Sequence, residues 1–537
     1  MNENNNLTLK QHFPYLLLLL VASIIFRLLF ATPYLFDGDP VNYFLGAQNL
    51  FSGNGYYAMG IPVIWPVGYS LTIIPFFLLF SGVNAAIASS IIFSTLGMIM
   101  LYLIGAELFS RRTGLTAALL LGFSETFFFS SVNVASDTHA LFFTLSGIYF
   151  FIILREHYSS KLIILSGLFF SMAVITRYQS ATFILLPFLY VLWEKRKREL
   201  PNFLKQSRNF LTPIIIFFGA MIPFAIVQFQ INYAGYGNIF PIQYAAATSS
   251  GFDTETFKII LNPIRIIYRL FFSFDIYAPI GIPLLVTGYF VIRNRPKILS
   301  LLTIWTLLGI LPMIFYLVVP RYFFIVSAPL ILLIAVGGEE IIKRIRELPF
   351  LSKFGSYKKR ILLISVLLTI LLPFAAQTFR LASSNKKHLS AMSSSFSWVK
   401  ENTAPESAVL TQSPYYGHFN IWEAIGQDIW VGEYYSDRKT YSVFDNVDSI
   451  LFKHPDTYLI MNEYWQREEN LLMMYPAANI KGINHILADY NTELVKTFET
   501  KRNFLLWKLT THTNHPDAFY KNEHLFKIYK VSIDSLR

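Results

Sequence analysis

PYLLLLLVASIIFRLLFATPYLFDGDPVNY, residues 14–43, is an apolar run that ends in two carboxylates, Asp37 and Asp39, with Tyr43 four residues after the second. The apolar part, 14–35, is long enough to cross a bilayer as a helix, which takes about 20 residues. Acids placed where a membrane helix emerges are costly to hold near lipid, so they mark a functional place.

The rest of the chain fits that beginning. Apolar residues make up 54% and charged residues only 14%, which excludes an ordinary water-soluble protein. The first run is too long for a signal core and has no small-residue cleavage site behind it. There is no cysteine, so disulfides, thiolate metal sites and cysteine nucleophiles are excluded. The net charge of +11 is confined to one part. Residues 1–380 hold 28 Lys and Arg against 15 Asp and Glu, a balance of +13, whereas 381–537 hold 16 against 18, a balance of −2. The basicity is therefore a topology signal of a membrane region, and no nucleic-acid partner is expected.

Ten further apolar stretches follow at 83–107, 115–132, 138–154, 162–175, 178–193, 210–230, 276–292, 298–319, 323–342 and 361–378. The short stretch 67–80, which holds Pro75, reads as an interfacial helix. Splitting 162–193 at Thr176-Arg177-Tyr178 puts the Lys195-Arg196-Lys197-Arg198 cluster inside. With eleven spans the inside loops carry about four times as many basic residues as the outside loops before residue 381. The expectation is an N-terminus in the cytoplasm, a C-terminus outside, and residence in the plasma or inner membrane. Asp37, Asp39, Asp137, Arg177, Asp253, Asp275 and Arg321 then all fall on the outer face.

Two domains are expected: a helical membrane domain over 1–380, with outer loops 36–82 and 231–275, and an extracytoplasmic α/β domain over 381–537. The tail begins with a helix at 393–402. Strand patterns follow at 407–411, 457–461, 504–509 and 525–531. The tail has no phosphate loop, no GxSxG and no metal-ligand spacing, and the chain has no internal repeat of the kind inverted-repeat transporters carry.

Asp39 is the leading candidate for chemistry, as a general base on a hydroxyl. It also fits as the N-cap of a helix over 40–50 with Pro40 in the first position, and both roles can hold at once. Asp37, before Gly38, suits a turn. Asp137, in Ser136-Asp137-Thr138-His139, is either a helix cap or a second carboxylate that orients the acceptor or helps hold a divalent ion. His139 beside it reads as a polar interface residue, and one His with one Asp is too few ligands for a metal site. Glu125, about two turns inside the 115–132 span, and Arg27 in the first span are intramembrane charges, with a functional or a hydrogen-bonded structural role open to each. Arg177, and Arg321 in Val319-Pro320-Arg321-Tyr322, are cations suited to a lipid phosphate through the guanidinium fork, or to headgroups by snorkelling.

These residues, in this order, resemble the GT-C class of integral-membrane glycosyltransferases that use polyprenyl-phosphate-linked sugars, with the protein O-mannosyltransferases and lipid A aminoarabinose transferases nearest. The Asp-Glu-x-x-Tyr of the family's first loop is matched by Asp39-Pro40-Val41-Asn42-Tyr43. Its Gly-rich stretch is matched by Gly53-Asn54-Gly55, and its Pro-Pro-x-Tyr segment by Trp65-Pro66-Val67-Gly68-Tyr69. Asp137 matches a second family acid, Thr176-Arg177 a Thr-Arg pair between short helices, and Arg321-Tyr322 a late Arg-Tyr. The tail opening Phe396-Ser397-Trp398-Val399-Lys400 is similar to the domain that closes such chains. Pro40 stands where the family often has Glu, and Pro66-Val67 replaces the paired prolines.

The resemblance implies a polyprenyl-phosphate-sugar donor and inverting transfer to an acceptor hydroxyl at the outer face, with the acceptor (lipid, protein or glycan) open. It casts Asp39 as base and Asp137 as its catalytic partner. Arg321, Tyr322, Arg177, Tyr43, Tyr69, Asp37 and Glu125 would form the substrate site, with a divalent cation left open. Competing readings are a flippase or transporter of lipid-linked sugars, a polysaccharide polymerase or ligase, and a membrane scaffold. The first would want polar residues spread through the mid-bilayer. The second would want paired arginines in large outer loops. The third would not explain acids at helix ends.

Overall fold

Among the described residues each of the eleven apolar runs is mainly helical. The structure is a computed structural model that describes residues 9–35, 38–156, 158–196, 211–240, 262–268, 280–314, 323–347, 356–411, 431–442, 446–462, 486–500 and 524–532. The membrane helices are α1 (Leu9–Phe30), the short α2 (Gly38–Phe51) and α3 (Gly68–Ile73), then α4 (Val83–Leu108), α5 (Arg111–Phe123), α6 (Glu125–Val132), α7 (Asp137–Glu156) and α8 (Ser160–Thr176). They continue with α9 (Leu185–Arg196), α10 (Leu211–Tyr236), α11 (Gly281–Ile292), α12 (Pro296–Ile314) and α13 (Phe323–Glu347). Among the described residues six helices are long and apolar enough to cross a membrane, and the bent pair α5–α6 makes a seventh. This is a polytopic helical membrane protein. The stretch from Gly68 is short, with α3 passing into a 3₁₀ turn at Ile74–Leu78.

The helices divide by what they touch. α7 is buried along most of its length, whereas α1 and α10 turn residues such as Leu18, Leu29, Ile215 and Ile222 outward, as lipid-facing helices do. Close packing needs small residues where backbones meet. A Cβ on Gly288 of α11 would stand 2.0 Å from the Leu333 carbonyl oxygen of α13, and one on Gly337 would stand 1.9 Å from that of Leu284.

One expectation needs correcting. The 115–132 run is not a straight span, because α5 and α6 meet at a bend of 67°. Ser124 adopts an extended conformation there, and its hydroxyl donates to the Leu121 carbonyl at 2.9 Å. A serine that satisfies local backbone in this way competes with the helix. Glu125 thus opens α6 rather than lying mid-helix.

α14 (Ser356–Asn402) runs unbroken through residue 380 from the membrane helices into the tail. Phe379 on it stacks on Phe30 of α1 (4.9 Å between ring centroids) and meets Phe128 of α6 edge-on (5.4 Å). Its far end is capped by Arg438, whose Nη2 donates to the carbonyls of Lys400 and Thr403 at 2.9 and 2.8 Å. A cation suits the C-terminal end of a helix, where carbonyls lack partners.

The tail is an α/β unit. Its five strands are β3 (Ala408–Thr411), β4 (Lys439–Ser442), β5 (Thr457–Asn462), β6 (Asn491–Thr500) and β7 (His524–Ser532); β1 (Tyr57–Ala58) and β2 (Ile61–Pro62) form a hairpin in the loop after α2. The tail sheet has the order β4-β3-β5-β7-β6, parallel on the β4 side and antiparallel on the β6 side. Alternation assigns its faces. Ala408, Leu410, Leu459 and Val531 pack on Ile450 and Leu451 of α16 (Val447–Lys453), which follows α15 (Val431–Ser436). Val409, Ile460 and Ile528 pack on Phe396 and Val399 of α14. The strand expected at 504–509 lies outside the described residues. β4 and β6 are hidden in the sequence because charged and hydroxyl residues interrupt their apolar pattern.

Candidate functional site

α7 begins at Asp137 and α8 ends at Thr176, with only residues 157–159 between the two helices at their other ends. A hairpin of that kind brings the start of one helix to the end of the other. Arg177, just past α8 in an extended conformation, therefore faces Asp137. Its Nη1 donates to Asp137 Oδ1 in a short ion pair and to Ser136 Oγ at 3.3 Å. Both side chains are nearly enclosed, at 11% and 5% exposure. A pair so buried is held by its own geometry, since each charge would be expensive alone.

Asp39 lies in the first turn of α2, where the helix dipole favours a carboxylate. The helix starts at Gly38 rather than Pro40, so Asp39 is a helical residue and half-buried. One turn on, Tyr43 is buried and lies beside Ser136, the same side chain that Arg177 reaches. Burial pushes the Tyr43 phenol well above its ordinary range. The Arg177 charge pulls it partly back and the Asp39 charge raises it further. Tyr43 thus sits within electrostatic reach of both, and through it Asp39, Ser136, Asp137 and Arg177 form one cluster.

Tyr69 forms its floor. Its ring meets Tyr43 edge-on at 5.0 Å and His139 at 4.6 Å, and its hydroxyl is 3.3 Å from Ser90 Oγ. His139 is fully buried, stacked on Phe93 at 4.4 Å with Nε2 2.8 Å from Ser89 Oγ. It belongs to the packing under the cluster, not to an interface with water.

The Pro66-Val67-Gly68-Tyr69 segment is fixed by two contacts. A Cβ on Gly68 would lie 2.7 Å from the backbone of Ile175 and Thr176, so glycine lets α3 press against the end of α8 that delivers Arg177. The Val67 N–H donates to Gln228 Oε1 at 3.0 Å, and Gln228 donates to Asn232 at 2.9 Å. Gln228 and Asn232 are buried amides on α10 that are absent from the residues singled out by sequence. Their spacing of four inside an apolar helix is the signal that could have found them.

Other candidates lie elsewhere or outside view. Glu125 is at the opposite end of α6 from the Asp137 side, roughly 10 Å along the axis for an eight-residue helix. Arg27 is buried in α1, where its guanidinium donates to Ser23 Oγ at 2.7 Å and faces the Phe127 and Phe128 rings, each 5.6 Å away. Asp37, Arg321 and Tyr322 lie outside the described residues, as do Asp253 and Asp275. Among the described residues no three His, Asp or Glu side chains converge as metal ligands, and an oxygen of Asp137 is engaged by Arg177.

Residues 66–226, which contain Tyr69, Asp137 and Arg177, match the model of a family described as dolichyl-phosphate-mannose-protein mannosyltransferase. No curated protein matches the chain significantly. Among solved structures, ArnT from Cupriavidus metallidurans bound to undecaprenyl phosphate aligns over 97% of this chain and 98% of its own, with 11% identity and a TM-score of 0.54. The apo oligosaccharyltransferase of Archaeoglobus fulgidus aligns over 90% of this chain and 73% of its own, with 11% identity and a TM-score of 0.54. The archaeal oligosaccharyltransferase AglB from Archaeoglobus fulgidus, in complex with an inhibitory peptide and a dolichol-phosphate, aligns at 13% identity over 84% of this chain and 69% of its own, again with a TM-score of 0.54. The chain has the GT-C fold.

Proposed function

We propose that this protein is a glycosyltransferase that moves a sugar from a polyprenyl-phosphate donor to an acceptor hydroxyl at the outer face of the membrane, with inversion. The observation that carries the reading is the enclosed Asp137–Arg177 pair at the ends of α7 and α8, with Tyr43 of α2 within electrostatic reach of both Arg177 and Asp39. The mannosyltransferase match over 66–226, which contains Tyr69, Asp137 and Arg177, and the lipid-phosphate-binding neighbours support it. In this reading residues 1–380 are the catalytic domain, residues 381–537 lie outside the cytoplasm, and the N-terminus lies within it.

Asp39 accepts the proton of the acceptor hydroxyl as that oxygen attacks the anomeric carbon. The bond from that carbon to the lipid phosphate oxygen breaks on the opposite side, and the phosphate departs with the electron pair. Arg177, oriented by Asp137, faces the phosphate charge with Arg321, and Tyr43 and Tyr69 wall the sugar. Tyr322, Asp37 and Glu125 are further contacts to substrate in this scheme.

The test uses full-length protein in vesicles with radiolabelled dolichyl-phosphate mannose and envelope acceptors. Transfer of label by the wild type, reduced about 10²- to 10⁴-fold in Asp39→Asn, is the expected result. Full transfer by an inserted, folded Asp39→Asn protein sinks the assignment. Label that crosses the membrane still joined to its lipid would instead favour a flippase.

A further inference from the structure

The link between α1 and α2 delivers Asp39, and it is held from two sides, by the membrane bundle and by the tail. At its start, the Thr32 N–H donates to the Val132 carbonyl at 2.9 Å, at the end of α6. At Leu35, four residues before Asp39, the partner comes from the tail. The Leu35 N–H donates to Tyr435 Oη at 2.7 Å, and the Tyr435 hydroxyl donates back to the Leu35 carbonyl at 3.4 Å.

Leu35 is fully buried in a non-helical stretch, so its peptide has no helical ladder to satisfy it. One phenol on α15 meets both of its polar groups. Burial pushes that phenol well above its ordinary range, which keeps it an O–H able to accept from one group and donate to another.

The neighbouring residues act in the same direction. Tyr434 packs edge-on against Tyr435 at 4.9 Å and against Phe44 at 6.3 Å, and Phe44 is the residue after Tyr43 on α2. Tyr34 Oη donates to Ser390 Oγ of α14 at 3.4 Å. Tyr434, Tyr435 and Met392 of the tail side all pack on the apolar cluster that contains Leu35, Val41, Tyr43 and Phe44. The tail therefore grips both the link before Asp39 and the helix that carries it.

We propose that Tyr435 is a positioning residue for Asp39, so that the tail domain sets the geometry of the base in the membrane domain. It touches the Leu35 peptide and not the reacting atoms. The proposal rests on the transfer reaction assigned above for its kinetic part, and on the structure alone for the clamp.

Two measurements on full-length protein in lipid nanodiscs test it: amide hydrogen exchange of the 31–43 segment, and mannose transfer from dolichyl-phosphate mannose. Tyr435→Phe keeps the ring and removes the hydroxyl. Tyr441→Phe, which removes a tail hydroxyl bonded to His454, is the control. In Tyr435→Phe the segment should exchange roughly three- to tenfold faster, the effect of losing one hydrogen-bonding group. The kcat should fall while the donor KM stays within about twofold, because the lost interaction aligns the base rather than binding the donor. Tyr441→Phe should change neither. Unchanged exchange in Tyr435→Phe overturns the clamp, and faster exchange with unaltered kcat in an active enzyme overturns the positioning role. If the wild type transfers no mannose, the functional assignment fails while exchange still decides the clamp.

Discussion

Two ion pairs show how differently the membrane half and the tail use charge. In Arg177–Asp137 the side chains are 11% and 5% exposed; in Lys530–Asp456 they are 46% and 33% exposed. The first joins helix ends near Tyr43 of α2, the helix that carries Asp39. The second sits on the face of a sheet whose stability rests on apolar layers on both sides. The difference teaches that the membrane half encloses the charges of its pair among helix ends. The tail leaves its pair at the surface and contributes inward through Tyr434 and Tyr435.

Asp137→Ala attacks the comparison where it is strongest. It takes the ion-pair partner Asp137 from the enclosed Arg177, and truncation of one member of a buried pair costs about 3–5 kcal/mol. Thermal unfolding in detergent should fall accordingly, with transfer lost as well. Asp137→Ala combined with Arg177→Met should recover much of the stability but none of the activity, because an apolar pair of similar volume needs no compensation. Recovery of both would remove Arg177 from the site.

Gly68→Ala comes next. The added methyl would meet the Ile175–Thr176 backbone at 2.7 Å, and backbone cannot swing aside as a flexible side chain can. Overpacking of this kind costs about 1–3 kcal/mol. The strain acts on the end of α8, so activity should drop more than stability, with the donor KM raised as Arg177 moves. A variant with wild-type KM and stability would show that the approach of α3 to α8 does not position Arg177.

The sequence makes some of this legible and hides the rest for physical reasons. Asp39 stands out because a carboxylate directly after an apolar run is costly to hold beside lipid, and Tyr43 lies one helical turn beyond it. The eleven runs are readable because lipid demands long apolar helices. The Asp137–Arg177 pair is hard to see as a pair, since the partners are forty positions apart. It follows, however, from treating 138–154 and 162–175 as one hairpin. The bend at Ser124 is hidden because no proline marks it, only Gly122 and a serine bonded to its own backbone, residues that apolar helices also hold without bending. Gln228 and Asn232 look like isolated polar residues until Val67 is seen to donate to the first of them. Tyr434 and Tyr435 have no local signal at all, because their partners, Phe44 and Leu35, belong to the other end of the chain.

The smallest expected effect belongs to the tail pair. Lys530→Ala removes an ion pair that water largely screens, so full-length protein should lose between about 0 and 1 kcal/mol and keep its transfer rate. Burial raises the Asp456 carboxyl, but hydrogen bonds from Ser407 and Tyr458 and the Lys530 charge outweigh it and leave the group below its ordinary 3.8. A carboxyl lowered on folding stabilises the folded state above its unfolded value, and that contribution fades as pH falls through the folded one. The Lys530 ammonium is raised above 10.5, chiefly by its hydrogen bond to Asp456, so its share persists from neutral pH up to that value. The stability difference between wild type and Asp456→Asn should therefore hold through neutral pH and vanish in acid, below 3.8. A loss as large as that of Asp137→Ala would mean that the tail, too, depends on an enclosed charge, and the contrast between the two regions would fall.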